Sequence, residues 1–167
     1  MLWHSLKTSF AILVLVILNG CSGVKVGAVN SFVDTQISSV SVIETSGRAG
    51  QLYNQALRRA LYVHGQTTPA YTLTSSISVS SSTSLSVRGI TSTFKKMAMV
   101  ANFKLQKQDS DEVILTESVT ADATLGTVSS LFSQDQSELH ARDRMAKLLA
   151  QRVVQRLQLY FLKQSGS

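Results

Sequence analysis

The chain has 167 residues, a net charge of +6 and one cysteine, enough length for a single domain with a real core and too little for two. Charged residues make up only 16% of it, and no basic stripe interleaved with aromatics runs through it, so a nucleic-acid partner is set aside. One thiol excludes an intramolecular disulfide.

The chain opens with Lys7 and then Phe10 to Leu18 (FAILVLVIL), a short unbroken apolar run. A bilayer core of ~30 Å needs about 20 helical residues, so this run does not span a membrane. It fits the n-region and h-region of a secretory signal peptide over residues 1–20, cut after Gly20 to leave Cys21 first. Lys7 is the only Lys, Arg, Asp or Glu ahead of that cut, so residues 21–167 carry +5. Leu18-Asn19-Gly20-Cys21 resembles a bacterial lipobox. That resemblance implies a covalent S-diacylglycerol on the Cys21 thiol and an N-acyl chain, such as palmitate, on its new amino terminus. One myristoyl chain binds a membrane only marginally, at about 10⁴ M⁻¹, whereas three chains make attachment practically permanent. Ser22 follows in place of aspartate, and the usual sorting rule then implies the outer membrane, with the protein facing the periplasm.

Val24 to Gln36 is weakly patterned and reads as a tether or an opening strand. Ile37 to Ile43 has the β-branched content of a strand, with Val40 and Val42 on one face. From Arg48 to His64 the period changes: Ala49, Leu52, Ala56, Ala60 and Val63 share a helical face, and Gly65 stops it. After Pro69, Tyr71, Leu73, Ile77 and Val79 alternate with serines and threonines. Ser75 to Ser86 would pass for a linker by composition, but its apolar residues keep strand spacing, so it reads as an extended hairpin arm. Lys96 to Gln106 forms the next strand, with Met97, Met99, Ala101, Phe103 and Leu105 on one face and Asn102, Lys104 and Gln106 on the other. Asp109 to Glu112 forms a polar turn, and Val113, Leu115, Val119, Ala121 and Ala123 continue the alternation. Ser133 with Gln136 reads as a capping box. The helix that follows buries Leu139, Ala146, Leu149, Val153, Leu157 and Tyr160, with Arg142, Arg144, Arg152 and Arg156 off that stripe.

The expected fold is an α+β two-layer sandwich in the order β-α-β-β-β-α. Two helices pack on one face of a four-stranded, mostly antiparallel sheet whose other face is wet and lined by small side chains. The division is a signal peptide (1–20), a lipidated tether (21–36), one domain (37–163) and a tail (164–167).

Gly47-Arg48-Ala49-Gly50-Gln51 leading to Leu57, Thr93 to Gln106, and Ala141-Arg142-Asp143-Arg144 continuing to Tyr160-Phe161 resemble the LptE family of lipopolysaccharide-assembly lipoproteins in its divergent form. The resemblance implies a non-catalytic outer-membrane lipoprotein that plugs and helps assemble an LptD-type β-barrel and assists lipopolysaccharide delivery to the cell surface. It also implies lipopolysaccharide contact by basic residues at the tip between the first two meander strands. Lys95 and Lys96 are the nearest matches there, with Arg88 close by; all three carry charge suited to lipid phosphates.

Enzyme readings find no footing. The sequence has no G-x-S-x-G elbow, phosphate-cradling glycine loop or His-x-x-x-His pair, and no metal or other cofactor is expected. Asp109, Asp111 and Glu112 read as a turn. The rival reading is an auxiliary lipoprotein of a lipid-trafficking ABC transport system, which would call for a closed apolar groove between sheet and helices.

Overall fold

The computed structural model describes residues 26–63, 65–85, 93–126 and 130–165. Its elements in chain order are α1 (Val26–Ser38), β1 (Val40–Val42), α2 (Gly47–Leu61), β2 (Tyr71–Leu85), β3 (Thr93–Lys107), β4 (Val113–Gly126) and α3 (Leu131–Ser165). The sheet order is β1-β2-β3-β4. β1 lies parallel to β2, and β2, β3 and β4 form an antiparallel meander. The expected α+β sandwich, with α2 and α3 on one face of the sheet, is what the chain adopts.

Alternation builds the core. Met97, Met99, Ala101, Phe103 and Leu105 are all buried on one face of β3. Leu73 of β2 and Val119 and Ala121 of β4 join them from the same face. The helix layer answers with Tyr53, Leu57 and Leu61 from α2 and with Met145, Leu149, Val153, Leu157 and Phe161 from α3. Phe161 also meets Tyr71 with ring centroids 5.2 Å apart, which ties the last turns of α3 to the start of β2.

Four details depart from the sequence reading. The segment expected as tether or opening strand is helical from Val26 to Ser38, and it docks Val33 and Ile37, one turn apart, into the core. The segment's weak patterning gave no helical signal, and burial of Val33 and Ile37 against the core outweighs the modest helix propensity of its valines. The strand expected over Ile37 to Ile43 is accordingly only Val40–Val42, although both valines are buried as expected. The cap of α3 is Ser130, not Ser133: the Ser133 N–H donates to Ser130 Oγ, and Gln134 N–H donates to Ser130 O. Finally, a bulge at Leu105/Gln106 pairs Leu105 with Leu115 but Gln106 with Val113. The extra residue breaks the alternation and leaves Val113 exposed rather than in the core.

The GR-x-GQ run has a geometric basis. Gly47 adopts φ +82°, and a Cβ on Gly50 would lie 2.5 Å from Thr45 O. The first turn of α2 thus needs a left-handed residue and then a bare Cα. That close approach also places Asn54 Nδ2 3.2 Å from Thr45 O, to which it donates.

Candidate functional site

No helix is long and apolar enough to cross a membrane, and no group of His, Cys, Asp or Glu that could hold a metal ion occurs, both among the described residues. The features that suit binding are the uncovered sheet face and the end of the sheet where β2 stops and β3 begins.

The ladder registers set the open face. Across β2, β3 and β4 its rows run Ser82–Lys96–Thr124, Ser80–Ala98–Asp122, Ser78–Val100–Thr120, Ser76–Asn102–Ser118 and Thr74–Lys104–Thr116. All of these side chains are exposed or half-buried. Nine of the fifteen carry a hydroxyl, so the face can exchange hydrogen bonds with water or a polar wall but cannot form a second core. The central strand puts Lys96 and Lys104 on it, against one carboxylate, Asp122.

Lys95 and Lys96 are adjacent in β3, so the pleat sends them to opposite faces. Lys96 is exposed on the open face. Lys95 turns to the helix side and donates from Nζ to Glu138 Oε1 of α3 at 2.6 Å. Gln134 Nε2 also donates to Oε1 at 3.2 Å, and Arg142 stands 3.7 Å from Oε2. The hydrogen bond from Lys95, then that from Gln134, holds the Glu138 carboxyl below its ordinary pKa. Lys95 therefore braces the start of β3 against α3. The Glu138–Arg142 pair matches the helical spacing, but nothing in the sequence pointed to Lys95 as the nearer partner, because the two are joined only by the fold. Lys104 was legible as outward-facing and was not among the candidates; the register puts it in line with Lys96, four rows along the open face. Arg88 and Cys21 lie outside the described residues.

The same end of the molecule carries bare apolar side chains. Phe94 shares the open face with Lys96 and pairs with Gly126. Leu131 and Phe132, which open α3 soon after Gly126, are exposed by 85% and 73%. A cation beside apolar side chains is the pattern that an amphiphile's head and chains meet.

The LptE lipopolysaccharide-assembly family matches this chain over residues 33–157. The chain belongs to that family. LptE proteins are non-enzymatic lipoproteins that work with lipopolysaccharide-transport components, and the match takes in every element from β1 to β4 and most of α3. Three solved structures share the fold. A chain from Caulobacter crescentus CB15 assigned to the lipoproteins aligns with TM-score 0.62 at 20% identity, covering 78% of this chain and 96% of that one. A minor lipoprotein from Acinetobacter baumannii aligns with TM-score 0.53 at 10% identity, covering 74% and 92%. Rare lipoprotein B from Shewanella oneidensis aligns with TM-score 0.51 at 16% identity, covering 75% and 98%. No curated protein sequence matches the chain.

Proposed function

We propose that this LptE-family chain is exported, cut after Gly20 and lipidated on Cys21, and that its folded domain, α1 included, sits in the outer membrane inside an LptD-type β-barrel. There it plugs the lumen, supports folding of the barrel and assists lipopolysaccharide delivery to the cell surface. The observation that carries this reading is the open sheet face. A hydroxyl-rich face left bare by the helices is costly to seal with an apolar partner, since each buried hydroxyl would need a hydrogen-bond acceptor or donor. Against the water-lined inner wall of a barrel the same face finds partners directly or through bridging water.

Contact with lipopolysaccharide rests on the β2/β3 end. Lys96, with Arg88 between β2 and β3 in the sequence, offers charge to lipid phosphates, and Phe94, Leu131 and Phe132 offer apolar surface to acyl chains. Lys95 supports this end through Glu138 rather than by its own free charge.

The test is a photo-crosslinking amino acid at Asn102, in the middle of the open face, in cells carrying the full chain. The reading expects an adduct with one large β-barrel protein. Absence of an adduct from position 102, with an adduct from an exposed α3 position such as Gln151, would overturn it.

A further inference from the structure

The strands and helices differ in length, and the mismatch leaves a cleft. β2 has 15 residues, about 50 Å of extended chain, whereas α2 also has 15 residues but spans only about 22 Å. α2 lies over the first half of β2, where Tyr53 Oη and Ser75 Oγ are 3.1 Å apart. Past the start of α2 the sheet has α3 alone above it. The result is a cleft of about 520 Å³ whose lining includes Arg48 and Leu52 of α2, Val79 of β2, and Leu139, His140 and Arg142 of α3.

The backbone beside this cleft is also open. Leu73 O accepts from Ile43 N–H and Ser75 O from Thr45 Oγ1, both on the outer edge of β2. By alternation the N–H and C=O groups of Ile77, Val79, Ser81 and Thr83 point the same way, and among the described residues nothing pairs with them. The opposite edge of the sheet is guarded: Arg152 donates to Thr120 O, and Arg156 reaches Glu117 at 3.5 Å. β2 carries no charge and no proline over its whole length, the devices that ordinarily protect such an edge.

We infer that the outer edge of β2 over Ile77–Thr83 receives an extended polypeptide segment of a partner by strand addition, with an apolar side chain of that segment in the cleft and a carboxylate on its cationic rim. Strand addition joins main-chain ladders for affinity and side-chain pockets for selectivity. Both are present side by side. Val79 is exposed although it faces the helix layer, and Leu52 and Leu139 form the apolar lining around it. Charge complementarity sets the acidic character of the segment. Arg142 Nε is buried without a hydrogen-bond partner while its Nη2 stands 3.7 Å from Glu138, Arg48 stands on the rim, and the one carboxylate that lines the cleft, Asp143, is taken by Lys147 at 2.7 Å. An acyl chain would fill the cleft but leave the strand edge unpaired, so the edge favours a peptide. This goes beyond the barrel reading, which concerns the open face.

The experiment is the same in-cell crosslinking with the photoreactive residue at Ser81, read by mass spectrometry of the adduct. An adduct with a polypeptide, digested to an extended segment containing Asp or Glu, is expected. In a second variant, Val79→Pro removes one outward N–H and leaves the β3 ladder intact; it should lower the yield from position 81 at least tenfold without changing far-UV circular dichroism. A lipid adduct, no adduct, or a yield unaffected by the proline would overturn the inference. An adduct from Asn102 with none from position 81 would do so while leaving the barrel reading in place.

Discussion

At the start of β3 the Lys95 ammonium lies 2.6 Å from Glu138 Oε1, with both side chains largely shielded. Because the pair lowers the Glu138 pKa in the folded state, its contribution is present above the unfolded carboxylate value and is lost as pH falls through the folded one. Lys95→Met should cost about 1 kcal/mol at neutral pH and should flatten the acid limb of a stability–pH curve from chemical denaturation. A limb as steep as that of the wild type would remove Glu138 as its source. Lys96, one residue on, should behave differently. Lys96→Glu should leave the melting temperature within a degree or two and weaken binding to purified lipopolysaccharide by about tenfold, the worth of one charge-assisted contact. Unchanged binding would take it out of the site. Tyr53 reports on the core: burial pushes its phenol up to about 12 from 10.0, against the lowering effect of the Ser75 hydrogen bond. The unfolded state ionises first, so stability present below pH 10 should fall by roughly 1.4 kcal/mol per pH unit between those two values. Tyr62 and Tyr160 are raised as well, so the test is whether Tyr53→Phe reduces the slope. Of these residue-level facts, the sequence showed that Lys95 and Lys96 were basic and near a strand end. Their division between two faces follows from the pleat alone, while the Glu138 partner needed the three-dimensional fold.

Among the elements, α2 is set by two glycines that act for different reasons. Gly47 supplies the left-handed φ, and Gly50 lets the helix touch the Thr45 carbonyl. Gly50→Ala should destabilise the domain by about 1–3 kcal/mol, the usual cost of forcing a methyl into filled space, because the atom it meets is backbone. A melting temperature equal to wild type would mean that the β1–α2 connection yields more easily than the packing suggests. The long antiparallel strands were legible because apolar residues recur with a period of two through most of their length, alternating with serine and threonine in β2 and with Asn102, Lys104 and Gln106 in β3. The first helix was not, since Val33 and Ile37 give only a short stripe among β-branched neighbours. Nor was the bulge after Leu105, which follows from pairing with β4 and has no local glycine or proline to announce it. The cleft beside Val79 arises from the relative lengths of α2 and β2, a comparison that matters only once the two are stacked.

For the molecule as a whole, the sheet is a wall with one face covered by helices except at the cleft beside Val79 and the other left to water. α3, with 35 residues and about 52 Å long, runs the length of the strands and covers most of that side. The bare face, the Lys96 end and the unguarded β2 edge then lie together as contact surface, and a lipid on Cys21 would hold that surface at the membrane. The measurement that bears most directly on this account is co-purification. Outer membranes carrying the full chain with a tag after Ser167 are solubilised in mild detergent, and the captured proteins are identified and quantified. One large β-barrel of the LptD type at equal stoichiometry is the predicted result. Recovery of the chain alone, or with ABC-transporter components in place of a barrel, would contradict it.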